Sequence, residues 1–238
     1  MEKVSFLSGG ARIAGVLSGF GDGQGVVLVH GLGSSKDSGT NLALEKALNA
    51  EGITTLRIDI YAHGDSDGRF EDLTCGIGVQ NVLDALAYLK ERGCTSLGLV
   101  GSSFGGFLAY HAAARTQLRA LACKCPVADW SDFGDVQEWK RVGRMPFTTA
   151  KGEESLGWQF YEDAVSMPAQ DVAHAIHVPA LIVHGDADTV VPVGQSRMMA
   201  ERMPRCMLLV IEGADHRFST RKDEMLDAIA DFMIAHMR

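Results

Sequence analysis

An α/β fold on a mostly parallel, doubly wound sheet is predicted by three features of this sequence. Apolar runs of strand length alternate with amphipathic segments of helix length, the pattern of a parallel sheet covered on both faces. The chain opens on two strand-like runs joined by glycines, which reads as a hairpin ahead of the alternation. Its 238 residues, 46% hydrophobic and 22% charged, can bury a full core and are too apolar for a disordered chain. One domain over residues 1–238 is expected, with an inserted lid over about residues 127–176.

Residues 4–7 and 12–18, separated by Ser8-Gly9-Gly10, form the expected hairpin. Val26-Val27-Leu28-Val29 reads as a buried strand, 38–50 as a helix and 54–60 as the next strand. Over 74–92, Val79, Val82, Leu83, Leu86 and Leu89 hold helical spacing. Leu97-Gly98-Leu99-Val100 is a strand, and a helix of small residues follows over 104–115. Residues 120–125, 180–183 and 207–211 complete the strands. The last helix, about 220–237, repeats its apolar face through Leu226, Ile229, Phe232 and Met233. One stretch breaks the alternation. Residues 127–176 show no clear strand and separate two strands that should be neighbours. They hold Trp130, Phe133, Trp139, Phe147, Trp158, Phe160 and Tyr161, and thus all three tryptophans of the chain. Long insertions are often binding lids, which makes Trp130, Trp139, Trp158 and Tyr161 candidate substrate contacts; a satellite core is the other reading of the same rings.

Charge and composition narrow the partners. The net charge is −8 and the charges are dispersed, so nucleic acid and anionic membranes are excluded as main partners. No apolar run approaches the roughly 20 residues that span a bilayer. The start, Met1-Glu2-Lys3-Val4-Ser5, lacks a basic-then-apolar leader, so a cytoplasmic location is expected. Cys75, Cys94, Cys123, Cys125 and Cys206 are odd in number and scattered, as suits free thiols in a reducing compartment. Strand alternation about Lys124 places Cys123 and Cys125 on one face. His174 and His177 have half of a helical metal spacing, but no carboxylate or thiol completes it, and no metal is expected. Gly31-Leu32-Gly33-Ser34-Ser35-Lys36 fails as a phosphate cradle, since a dinucleotide loop needs glycine where Lys36 stands.

Gly101-Ser102-Ser103-Phe104-Gly105 fits G-x-S-x-G, directly after a buried strand and at the start of a helix. That context is the nucleophile elbow, a tight turn that stands a serine clear of the sheet; glycines two before and two after let neighbouring backbone approach. Ser103 is the candidate nucleophile and Ser102 the variable position. A serine hydroxyl needs a base, and the base an orienting acid, in the chain order Ser, Asp or Glu, His. Asp186 and Asp188 follow the strand at 180–183, and His216 follows the strand at 207–211. Both lie just past strand carboxyl ends, where open α/β sheets bind ligands.

In this order the motifs resemble those of the α/β-hydrolase superfamily over nearly the whole chain. They are His30-Gly31 after the third strand, Ala62-His63-Gly64-Asp65-Ser66-Asp67-Gly68, the elbow, H-G-D-x-D-x-x-V-P from His184 to Pro192, and G-x-x-H-x-F from Gly213 to Phe218. The second loop departs from the family's G-x-G-x-S by carrying Ala62 at its first glycine. The resemblance implies Asp188 as the acid, His216 as the base and Asp186 as a turn-shaping residue. It implies an oxyanion hole from the backbone N–H groups of Phe104 and Leu32, and a structural role for His63. Serine at the elbow, rather than Asp or Cys, separates the chain from haloalkane dehalogenases and dienelactone hydrolases. The absence of a propeller separates it from prolyl-oligopeptidase relatives that sieve large peptides. It is most similar to small bacterial carboxylesterases of the cinnamoyl or feruloyl esterase-like subgroup. The resemblance therefore implies a serine carboxylesterase, without a cofactor, acting on short-acyl or aromatic-acyl esters. A small-molecule ester is the expected partner, and a homodimer stays open. A thioesterase or small peptidase or amidase would use the same triad, and a non-catalytic ligand receptor is the alternative of another class.

Overall fold

The structure, a computed structural model, describes residues 1–19, 23–131 and 136–238; Phe133 lies outside the described residues. The chain opens with β1 (Glu2–Ser8) and β2 (Ala11–Ser18), paired antiparallel as the glycine-linked runs predict. Then come β3 (Gln24–Val29), α1 (Gly39–Ala50), β4 (Thr54–Ile58), α2 (Cys75–Glu91), β5 (Ser96–Ser102), α3 (Phe104–Ala113) and β6 (Ala120–Lys124). The insertion holds α4 (Val136–Val142), β7 (Arg144–Thr149), β8 (Gly152–Gly157), α5 (Trp158–Ser166) and two single 3-10 turns. The chain closes with β9 (Ala180–Gly185), α6 (Val193–Arg202), β10 (Cys206–Ile211) and α7 (Lys222–Met237).

Eight strands form one sheet in the order β1-β2-β4-β3-β5-β6-β9-β10, parallel from β4 to β10. Strands β4, β6 and β9 are buried at every position, so their apolar residues run on without the in-out alternation of a half-exposed strand, and Arg57, Lys124 and His184 are buried with them. Along β3 the side chains sort by parity. Val27 and Val29 join the core under α2 and α3, while Val26 and Leu28 join the core under α1 and α7. Ser38 and Thr74 start α1 and α2 by accepting the N–H groups of Asn41 and Ile77. The crossover from β3 runs to β4 on one side, and the next runs from β4 back past β3 to β5 on the other, so the winding reverses at β3. A crevice opens at the carboxyl ends there, and the loops after β3 and β5 meet in it.

Three expectations need correction. The insertion does contain strands, since β7 and β8 pair antiparallel as a separate hairpin. It was hidden because β7 alternates exposed with half-buried residues, and β8 begins Gly152-Glu153-Glu154. Helix α6 had no predicted counterpart: it buries only Ser196 and Met199, too little to print a helical period. The shared face of Cys123 and Cys125 fails as well. Cys125 turns to φ 40, so the two thiols enter different cores.

Candidate functional site

Ser103 sits between β5 and α3 at φ 53 and ψ −115, a conformation that costs a non-glycine residue energy and persists only where its surroundings over-determine it. The constraints are visible. A Cβ on Gly101 would lie 2.3 Å from the Gly105 carbonyl oxygen, and one on Gly105 would lie 2.5 Å from that of His30. The Ser103 N–H donates to the Lys124 carbonyl (2.8 Å), and the Ser103 carbonyl accepts from Gly106 (2.9 Å) and Phe107 (3.2 Å). The turn is thus fastened to β6 on one side and to the first turn of α3 on the other.

Of the two carboxylates after β9, Asp188 is the one that meets His216. His216 Nδ1–H donates to Asp188 Oδ2 at 2.6 Å, because an ionised carboxylate only accepts. That fixes the tautomer and leaves Nε2 as the ring's acceptor. Asp188 Oδ1 accepts the N–H groups of Val190 and Val191, each at 2.8 Å. His184 Nε2 lies 3.2 Å from Oδ2 on the other side. Burial by itself would raise the pKa of Asp188; the hydrogen bonds from His184, His216 and Val191 outweigh it and hold the carboxyl well below the usual range. Asp186 instead accepts the Gly213 N–H at 2.7 Å, tying the loop after β9 to the loop after β10.

The loop after β3 is built differently. Gly31 stands against the elbow, where a Cβ would lie 3.3 Å from Ser103 Cβ and 3.8 Å from its Oγ. His30 Nε2 accepts the Ile60 N–H (3.1 Å), and its Nδ1–H donates to the Gly31 carbonyl (2.8 Å). His63 Nε2 accepts the Gly33 N–H (3.0 Å), and its Nδ1–H donates to the Tyr61 carbonyl (2.9 Å). The Gly33 N–H is therefore committed to protein, whereas Leu32 N–H has no acceptor among the described residues. Burial, with His30 nearby, pushes the His63 imidazole down to about 3, and burial likewise lowers His30. Both rings stay neutral at pH 7 and serve as backbone clamps.

The insertion reaches the same loop. The Ala150 N–H donates to the Gly33 carbonyl at 2.7 Å, and Phe147 leaves no room for a side chain on residue 33, a Cβ there lying 2.8 Å from Cε1. The four aromatic candidates divide. Trp130 is buried edge-on to Phe104, Phe107 and Phe160. Trp139 is buried too, its Nε1–H bonded to the Leu156 carbonyl at 3.1 Å. Trp158 and Tyr161 stay half-buried, their rings 5.0 Å apart.

Two side chains here escaped the sequence reading. Lys124 Nζ donates to the His216 carbonyl at 2.7 Å, and nothing in an apolar run with one lysine signals that. His184 had a signal, as the first residue of H-G-D-x-D. Ligand atoms of Cys125, His184 and Asp188 lie within 4.8 Å of one another, a spacing that would suit a metal ion. The donors are committed, however. His184 Nδ1 accepts from Ser196 Oγ at 2.6 Å and its Nε2–H faces the Val191 carbonyl at 2.9 Å, while burial pushes the Cys125 thiol up to about 12. His174 and His177 belong to no such group among the described residues.

A mostly parallel sheet with a strained serine turn at its carboxyl edge, and a buried carboxylate paired with an imidazole two loops away, defines the class of α/β hydrolases. Residues 51–238 match the model of the prolyl oligopeptidase family, and the chain belongs to that family. It was set apart from propeller-bearing relatives above; the match joins it to them through the hydrolase fold. The mitochondrial palmitoyl-protein thioesterase ABHD10 of Bos taurus is 28% identical over 220 residues, which span 87% of this chain and 71% of that protein. Est1E from Butyrivibrio proteoclasticus with bound ferulic acid superposes at a TM-score of 0.84 and 25% identity, covering 98% of this chain and 99% of that one. The α/β hydrolase GrgF from Penicillium sp. sh18 reaches a TM-score of 0.86 at 21% identity, covering 99% and 98%, a likeness of fold. Among the described residues no helix is long and apolar enough to cross a membrane.

Proposed function

We propose that this hydrolase is a serine carboxylesterase that cleaves short-acyl or aromatic-acyl esters, hydroxycinnamoyl esters among them, through an acyl-enzyme on Ser103. One observation carries the reading: a serine held at φ 53 and a buried Asp188 paired with a half-buried His216 at 2.6 Å are fastened to the same strand end. His216 Nε2 takes the Ser103 Oγ proton as Oγ attacks the ester carbonyl carbon, and the carbonyl π pair moves onto oxygen. The N–H groups of Leu32 and Phe104 hold that oxyanion, each contributing roughly 3 kcal/mol in the transition state. Asp188 steadies the imidazolium, which then gives its proton to the departing alcohol. Water, deprotonated by His216, repeats the sequence and releases the acid. The reaction needs no cofactor.

The likeness to Est1E, solved with ferulic acid bound, supports an aromatic acyl group, as do half-buried Trp158 and Tyr161 in the insertion, read here as a lid over a cytoplasmic, small-molecule site. The ABHD10 relationship supports a second reading, thioester cleavage by the same three residues. Hydrolysis measured across p-nitrophenyl acyl chains, methyl hydroxycinnamates and S-acyl thioesters separates the two. A fluorophosphonate probe is expected to label Ser103, and Ser103→Ala to lose about six orders of magnitude in kcat. A variant that keeps a tenth of wild-type turnover removes Ser103 from the mechanism, and a wild type that neither labels nor turns over is a binder.

A further inference from the structure

Lys124 is a cation in the wrong place for stability. It ends β6, is only 7% exposed, and stands between two buried cysteines. Its Nζ makes no ion pair among the described residues, and Asp188, Asp215 and Arg217 act on it only at a distance. Burial accordingly pushes the ammonium below the ordinary lysine range. An unpaired buried charge is costly, and a well-fitted apolar side chain would serve the core better.

What this side chain does instead is connect. Its own carbonyl accepts the Ser103 N–H at 2.8 Å, and its Nζ donates to the His216 carbonyl at 2.7 Å, 5.5 Å from the centre of the Phe218 ring. Strand β9 lies between β6 and β10, so the lysine spans the end of one strand to reach the loop after the next. The Cys125 N–H, bonded to the Val183 carbonyl at 2.9 Å, pins the base of this span to β9. One residue thus touches the backbones of both groups that would exchange a proton.

We infer that Lys124 is a positioning residue for acyl transfer, its ammonium holding the His216 loop at a set offset from Ser103. The inference rests on the esterase reading above. Lys124 does not touch substrate; it acts through His216. A shift of about 1 Å in a catalytic group costs on the order of 100-fold in rate. Methionine fills a similar volume with no donor.

The test compares Lys124→Met, Lys124→Leu and Lys124→Arg with wild type. The first two are expected to melt no lower than wild type, to lose about 10- to 100-fold in kcat on p-nitrophenyl butyrate, and to keep KM within about twofold. Fluorophosphonate labelling of Ser103 should slow in the same proportion. Lys124→Arg, which keeps a charged donor, should recover at least part of the loss. A folded Lys124→Met or Lys124→Leu with kcat within twofold of wild type overturns the inference, and so does a Lys124→Arg no better than Lys124→Met. Failure of all three to fold also counts against it, because the inference assigns the lysine's cost to stability and its benefit to rate. Labelling of the wild-type serine and inactivity of Ser103→Ala are scored separately, so the esterase reading stands or falls on its own.

Discussion

Two pairs of histidines lie at the carboxyl ends of the strands, His30 and His63 after β3 and β4, His184 and His216 at the end of β9 and after β10, and they are built on opposite principles. His184 and His216 share one carboxylate, Asp188, which lies 3.2 Å from the first and 2.6 Å from the second. His30 and His63 are bonded to no carboxylate, and Asp59 acts on both only at a distance; their rings lie 4.8 Å apart, and each accepts a backbone N–H with one nitrogen and donates to a carbonyl with the other. The first pair surrounds a charge, and the His216 ring is held against it by its Nδ1–H. The second pair is kept neutral by burial, so protonation of either ring would cost the backbone bonds it makes. The same residue type is set beside a charge or held as a neutral backbone clamp according to what surrounds it, and only the first setting suits the proton transfer proposed for His216.

The comparison breaks most sharply at its charged end. Asp188→Asn keeps the volume but presents an amide to His216 Nδ1, and kcat is expected to fall on the order of 10⁴-fold. Asp186→Asn should stay within a few-fold of wild type, since Asp186 binds the Gly213 N–H and not the imidazole. Steady-state kinetics on purified variants with matched circular dichroism decide it; a reversed order of losses moves the acid to Asp186.

At the neutral end the loss should be smaller and of another kind. His63→Phe leaves the Gly33 N–H without its acceptor and slackens the loop that carries Leu32, so kcat should fall about 10- to 100-fold, less than for Asp188→Asn. An unchanged kcat in that variant would show that the loop holds its shape without the clamp.

The smallest effect is on stability, and its sign follows from the two environments. His63 has a folded pKa of about 3 against 6.5 in the unfolded chain, so between these values the unfolded state binds a proton that the native state refuses. Stability is full above pH 6.5 and falls as the pH drops, with about 2 kcal/mol lost from His63 alone between pH 7.5 and pH 5. The Asp188 carboxyl is depressed from 3.8, so its contribution is intact over that range and fades only at lower pH. Urea titrations at pH 7.5 and pH 5 should therefore show a decrease that shrinks in a folded His63→Gln variant. No decrease in wild type would mean that the ring is protonated in the native state.

Most of the framework was legible because burial on both faces writes itself as apolar runs, as in Val26-Val27-Leu28-Val29 and the stretch around Leu121. The elbow was legible because close backbone approach restricts positions 101 and 105 to glycine. What was hidden depends on contacts far apart in sequence. Hairpin β7–β8 has Met145 and Phe147 on one side and solvent on the other, too short an alternation to stand out around Pro146. Lys124 meets a carbonyl 92 residues away, which no local pattern encodes. The structural role of His63 was legible from its loop motif, whereas the backbone groups it and His30 hold were hidden for the same reason as the lysine's.

The bond from Ala150 N–H to the Gly33 carbonyl, with Phe147 seated over the same glycine, has a consequence for how this enzyme can diversify. A hairpin remodelled to admit a new acyl group pulls on the peptide next to Leu32. On the proposed reading selectivity and turnover would then be inherited together: transplanting the segment from a relative should change the rate for every substrate, including those too small to reach the transplanted walls. Accumulated changes at 147–150 would need matching changes near residue 33, two stretches of chain more than a hundred residues apart and bound to a common history.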